Sequence, residues 1–249
     1  MKEAATRFTT EGLVLKEMEI GESDRLVTLF TRDYGIIRAF ASGAKKMNNK
    51  KGSATSALTY ASFSIIKRKD TYKIYEAQPI RIFFGAGSDI ERLILSQYFC
   101  ELALKLIPDG TQNPEFLRLI LNSLHFISEG RKNPILIKSI TELRAASLLG
   151  YSPDLVACSS CGAFEESVMF FSLQDGCLFC KNCNVSSQNK PINKTVLNAM
   201  RHIVFSEFEN IYSFEIPKDD ALYLSSITEE YISLQTDYKF SALQLFKTL

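Results

Sequence analysis

An α+β chain is expected, with strands confined to the first third and helices filling most of the remainder. Three observations carry this. β-rich runs of alternating polarity end near residue 82, apolar residues then recur at helical intervals, and five of the six cysteines crowd into 158–162 and 177–183. With 249 residues, 46% of them hydrophobic, the chain has enough material for one large core or two to three small ones.

The strands are "EGLVLKE", "RLVTLFT", "GIIRAFA", "LTYASFSIIK" and "TYKIYEAQPI", separated by "GESD", "RDYG", the 15-residue loop "SGAKKMNNKKGSATS" and "RKD". In the fourth run Thr59, Ala61, Phe63 and Ile65 share one face, while Leu58, Tyr60, Ser62, Ser64 and Ile66 share the other. So many short strands in so small a span favour a closed barrel, because closure removes edges that a small sheet would expose. An OB-type barrel fits best, with an SH3-like barrel as the rival.

Helical periodicity begins at "SDIERLILSQYFCELALKLI", where Ser88 and Glu91 have capping-box spacing. Asn113–Pro114 and Asn133–Pro134 open two further helices that stop at Gly130 and Gly150. More helix is expected at 192–208, 218–235 and 240–248. The domains read as 1–81, the barrel, and 82–249, a helical domain carrying a metal-binding insertion at about 155–185.

Cys158 and Cys161 form one C-x-x-C pair and Cys180 and Cys183 a second, a spacing suited to one four-thiolate structural Zn2+. Cys177 with Cys180 is the alternative register. "CKNCN" is preferred because, like "CSSCG", it has polar intervening residues and ends in Asn or Gly, which tolerate a positive-φ turn. Four thiolates also suit iron. The closed shell argues against a hydrolytic metal, which keeps a position open for water. Neither His125 nor His202 stands in a deaminase H-x-E motif, and no phosphate-binding loop, dinucleotide fingerprint or nucleophile elbow is present, so the chain reads as a non-enzyme.

Charge is unevenly distributed. Between Arg38 and Arg81 stand ten Lys or Arg against Asp70 and Glu76, whereas the whole chain nets only +1. That asymmetry points the barrel at a polyanion. The candidate nucleic-acid contacts are Arg38, Lys45, Lys46, Lys50, Lys51, Arg68, Lys69 and Lys73. Phe40, Tyr60, Phe63, Tyr72 and Tyr75 are interleaved with them, and Tyr60, Tyr72 and Tyr75 are the outward candidates for base stacking. "MKEAATRFTT" lacks the apolar stretch of a signal peptide, and no segment reads as a membrane span, so a cytoplasmic, nucleoid-associated location with no membrane contact is expected.

Residues 11–46, "EGLVLKEMEIGESDRLVTLFTRDYGIIRAFASGAKK", together with "ELRAASLLGYSPDLVACSSCG" (142–162) and "DGCLFCKNC" (175–183), resemble the RecO family of bacterial recombinational repair proteins. Cys177 departs from the family pattern, standing where a second glycine often precedes the final cysteine pair. The resemblance implies a mediator that binds single- and double-stranded DNA, anneals complementary strands, associates with RecR and the C-terminal tail of the single-strand-binding protein SSB, and so helps RecA to load. It also implies an architectural metal, since many family members have lost the cysteines. The competing reading is a zinc-stabilised RNA-binding or protein-interaction scaffold. Apolar helices with scattered cations such as Arg92, Lys105, Arg118 and Lys138 are expected to offer the acidic tail a groove with a basic rim.

Overall fold

The computed structural model describes residues 5–46, 51–84, 89–164 and 166–246. Packing divides the chain into two compact units, one of residues 1–128 with 240–249, the other of residues 129–239. The boundary expected at 81–82 marks a change of element type. The packing division falls later, because two long helices group with the strands.

In the first unit, β1 (Thr6–Ile20), β2 (Asp24–Thr31), β3 (Gly35–Ala41), β4 (Thr59–Arg68) and β5 (Thr71–Ile82) close into a barrel in the order β1-β2-β3-β5-β4. Its length lets β1 serve two neighbours: Thr6–Leu13 pairs with β4 and Gly12–Ile20 with β2. Gly12 sits where the two pairings overlap, and a Cβ there would come within 2.9 Å of the Phe30 carbonyl oxygen. All neighbours are antiparallel except β3 and β5, joined in parallel at Ala39–Tyr72 and Phe40–Lys73. Alternation places Thr59, Ala61, Phe63 and Ile65 inside, where they meet Val27, Leu29, Ile37 and Ile74. The short helix α1 (Lys51–Ala54) packs against β4 and β5.

Helices α2 (Ile90–Leu106) and α3 (Pro114–Glu129) complete this unit with the C-terminal α7 (Ser241–Phe246). Asp89, rather than the expected Ser88, caps α2 by accepting from the Arg92 N–H; Ser88 lies outside the described residues. Asn113 accepts from the Phe116 N–H at the start of α3, and the Phe116 ring lies 6.4 Å from that of Phe30 in β2. The Glu101 carboxylate accepts from the Ser241 and Ala242 N–H groups and the Ser241 hydroxyl, fixing α7 to α2.

The second unit contains α4 (Pro134–Leu148), β6 (Asp154–Cys158), β7 (Val168–Ser172), β8 (Cys177–Phe179), β9 (Lys190–Asn193), α5 (Lys194–Phe205) and α6 (Lys218–Thr236). Its four short strands make a sheet in the order β6-β8-β7-β9. Lys138, expected on an exposed rim, is instead 1% exposed between α4 and α6. Its Nζ lies 2.9 Å from Glu142 and 3.0 Å from Glu229, and the Thr228 hydroxyl donates to Glu142. A lysine so placed is a structural partner for buried carboxylates and is lost to any ligand. Among the described residues no helix is long and apolar enough to cross a membrane.

Candidate metal centre and nucleic-acid interface

The thiols of Cys158, Cys161, Cys180 and Cys183 converge, with their sulfurs all within 4.8 Å of one another; Cys177 is not among them. Cys161 and Cys180 Sγ are 3.7 Å apart. Zinc–sulfur bonds of about 2.3 Å in a tetrahedron require sulfur separations of about 3.8 Å, so the group has the right size for one ion. Each pair closes in the same way: the Gly162 N–H donates to the Cys158 carbonyl and the Asn184 N–H to the Cys180 carbonyl, both at 2.9 Å. Gly162 takes the expected left-handed turn at φ +73, whereas Asn184 is not among the positive-φ residues. The second knuckle therefore closes without a left-handed residue.

Burial opposes ionisation of the Cys158 thiol, but N–H groups of Cys180, Cys161 and Ser160 outweigh it and bring its pKa down to about 6. Cys183 moves the opposite way, to about 12, through its contacts with the Cys180 and Cys161 thiols. Four thiolates within 4.8 Å of one another repel, so a bound cation would stabilise them together. The donor set could hold one metal ion, which would supply that charge. Cys177 lies outside the cluster on β8, where burial pushes its thiol up.

On the barrel, directly paired residues share a face, so register gives the surface. One outward row runs Met18–Leu26–Phe40–Lys73 across β1, β2, β3 and β5, and the next runs Lys16–Thr28–Arg38 across β1, β2 and β3. Met18 is 51% and Phe40 41% exposed. Arg38 is ion-paired with Asp109 at 3.2 Å and Lys45 with Glu19 at 2.7 Å. Lys51 is half-buried and reaches the Ile74 carbonyl, while Lys46, Arg68, Lys69 and Lys73 are exposed. Lys50 lies outside the described residues. Lys69 occupies the β4–β5 turn at φ +51. The Asp24 carboxyl at the start of β2 is lowered chiefly by the Gly43 N–H, with smaller contributions from Ser23, Lys73 and Lys46.

The aromatic expectations divide. Tyr75 is 48% exposed, with the Arg7 guanidinium 4.3 Å from its ring centre. Tyr72 is half-buried, edge-on to Phe8. Tyr60 is withdrawn from stacking: its hydroxyl donates to Glu11 at 2.7 Å, and burial with that carboxylate holds the phenol well above its ordinary pKa. Phe63 is fully buried. Phe40 is the outward ring that a preference for tyrosine overlooked; its signal was the alternation of "GIIRAFA", in which Ile37, Ala39 and Ala41 turn inward and Arg38 and Phe40 outward. Lys16 and Met18, also overlooked, carry no signal without the strand register.

Two family models match the chain in succession. Residues 1–83 match the family model described as Recombination protein O N terminal, and residues 87–243 match Recombination protein O C terminal. The DNA repair protein RecO of Acetivibrio thermocellus is 29% identical over 241 residues, covering 96% of each chain. That of Caldanaerobacter subterraneus subsp. tengcongensis is 30% identical over 237 residues, covering 92% of this chain and 94% of its own. With both family models matched in order across almost its entire length and relatives aligned end to end, this chain belongs to the RecO family of DNA repair proteins.

Proposed function

We propose that the chain is a DNA repair and recombination mediator, not an enzyme, which binds single- and double-stranded DNA through its barrel, anneals complementary strands, and works with RecR and SSB in loading RecA. The observation that carries this is the outward β2–β3 surface, where Leu26, Phe40 and Lys73 stand in one row and Arg38 in the next, in a member of a DNA repair family. The strand order β1-β2-β3-β5-β4 supports an OB-type barrel, a fold that binds oligonucleotides across strands 2 and 3 and the β1–β2 and β4–β5 loops. Arg68 and Lys69 lie in and beside that second loop. Cations neutralise phosphates while an exposed ring stacks a base, a sequence-independent combination. Annealing then needs only relief of the repulsion between two strands, for which no nucleotide hydrolysis is required.

In this reading one structural Zn2+ is held by Cys158, Cys161, Cys180 and Cys183. The SSB tail takes the groove of about 840 Å³ between β1, α2 and α7, whose walls include Leu93, Leu104 and Leu245. Glu17 is engaged by Arg25 and Glu101 by the start of α7, while Lys16 and Lys105 have no ion pair among the described residues, so the rim favours an acidic apolar peptide.

The test is strand annealing without ATP, on bare and SSB-coated oligonucleotides, over a salt series. A Lys46, Arg68, Lys69, Lys73 quadruple glutamine variant should lose annealing on both substrates and show a log K against log salt slope reduced by about 3–4. Deleting the SSB tail should impair only the coated substrate. Equal slopes for the variant and the natural chain would place the DNA elsewhere, and annealing no faster than that of a generic cationic protein would favour the RNA-binding or interaction-scaffold reading.

A further inference from the structure

The second unit carries an exposed aromatic surface that neither the metal centre nor the barrel uses. Phe164, in the segment after the first cysteine knuckle, is 55% exposed, and the Arg201 guanidinium of α5 lies 4.8 Å from its ring centre. Arg201 is held there by its own bonds: Nε donates to the Leu155 carbonyl at 2.7 Å, and Nη2 donates to those of Val156 at 2.8 Å and Phe164 at 3.4 Å. One side of the Phe164 ring thus rests on a fixed cation, and the ring is still more than half exposed. Beside it a cavity of about 260 Å³ is lined by Glu166, Ser167, Lys194, Leu197 and Arg201. Glu166 accepts from the Lys181 N–H, and the cavity also presents the Ser167 hydroxyl, Lys194 and Arg201. Lys194 is the first residue of α5, where the helix dipole also favours an anion.

We propose that Phe164, Arg201, Lys194 and Ser167 form a second contact for single-stranded nucleic acid, a nucleobase stacking on the open side of Phe164 and a backbone phosphate entering the cavity beside Lys194. This rests on the nucleic-acid reading of the barrel, because the residues 129–239 are net acidic and draw no polyanion by themselves. A ring backed by guanidinium stacks any base, with added cation–π attraction. Since Glu166 offsets one of the two cations lining the cavity, the contact is driven mainly by stacking and depends weakly on salt. A weak, releasable hold on a second strand suits a protein that pairs strands, because a tight one would retain them.

The chain has no tryptophan, so Phe164→Trp installs a single indole at the site and Phe40→Trp a single indole on the barrel. Each variant, with its metal content and circular dichroism checked, is titrated with oligothymidylate. Stacking should quench the indole in both variants, with the Phe164→Trp quench retained as salt rises and lost when Lys194→Glu and Arg201→Gln are added. In the unmodified chain, an oligonucleotide containing 5-iodouracil should photocrosslink to the peptide carrying Phe164. Quenching at position 40 alone, with no crosslink to that peptide, overturns the second contact and leaves the barrel reading intact. Quenching at neither position removes the base-stacking role of the barrel and the second contact with it.

Discussion

The barrel and the cysteine sheet present an exposed phenylalanine beside an arginine, yet they hold it by different physics. The barrel's strands run 15, 8, 7, 10 and 12 residues and enclose a common core of Phe63, Leu29, Ile65 and Ile74. The sheet of the second unit has strands of only 5, 5, 3 and 4 residues. Strands that short bury too little to stand alone, so the sheet leans on its neighbours: Leu155, Met169, Phe171, Leu178 and Ile192 are buried, α5 packs against it, Arg201 binds its carbonyls, and four thiols converge beside it. A surface ring is thus set by a closed core in the barrel, and in the sheet by a cation anchored to backbone carbonyls beside a cluster of thiols that could hold a metal.

Removing the metal is the largest test of this difference. Ligation of a structural zinc is worth on the order of 10 kcal/mol, and in so small a sheet it is coupled to folding. Chelation, or Cys180→Ser, should expose the amides of 154–193 to hydrogen exchange while those of β1–β5 keep their protection and the barrel keeps its salt-dependent DNA binding. Elemental analysis should find one zinc per chain before chelation. Equal loss of protection in both regions would show that the metal supports the entire molecule and that the two regions do not differ as argued.

Much of this contrast was legible in the sequence because it rests on short-range patterns. Alternation in "LTYASFSIIK" gave the inward face of β4 directly, and two C-x-x-C pairs marked the converging sulfurs. The sheet around those sulfurs was not foreseen, since strands of 3–5 residues are too short to establish a period. Arg201 left no signal either, because it acts on backbone carbonyls, which every residue has. Lys138 looked like any helix cation. Only the packing of α6 beside α4 brings Glu229 to it and makes it a core residue. The grouping of α2, α3 and α7 with the barrel is likewise a tertiary fact, resting on contacts such as Phe30 with Phe116 and Glu101 with Ser241.

Lys138 sharpens the comparison at intermediate scale. Among the described residues of the barrel no lysine is fully buried, whereas the second unit encloses this one with two carboxylates. Lys138→Met leaves Glu142 and Glu229 without their cation, a change that costs about 3–5 kcal/mol. Hydrogen exchange should accelerate across α4 and α6, with the barrel unaffected and zinc retained. The triple replacement Lys138→Met, Glu142→Leu, Glu229→Gln should recover much of the loss, because it removes the stranded charges together with their partner. If the single variant matched the natural chain in protection, the buried network would not hold the helices together.

The smallest effect concerns how the barrel, without a metal, fixes the loop proposed to meet DNA. Asp24 Oδ1 accepts the Gly43 N–H at 2.8 Å and the Ser23 hydroxyl at 3.2 Å, tying the start of β2 to the loop that carries Lys45 and Lys46. The Gly43 bond is the main cause holding this carboxyl below the ordinary 3.8. Burial opposes the shift, and the charges of Lys73 and Lys46 add to it. Because the folded-state value is depressed, the tie is fully present above the ordinary aspartate range and is lost only as pH falls through the lowered value. Neutral-pH DNA binding therefore draws on an intact loop. The Gly43 amide shift, followed by NMR through an acid titration, should report a midpoint below 3.8, and one that rises when Lys46 and Lys73 are replaced by Gln. Asp24→Asn should remove the titration and broaden the Gly43 to Lys46 resonances while leaving the Phe164 region unchanged. A Gly43 amide that titrates at or above the ordinary value would mean that the loop is not tied by Asp24, and the barrel's loop lysines would then be positioned by the Lys45–Glu19 pair and the backbone bonds of Lys45 to Ser23 and Lys46 to Gly43.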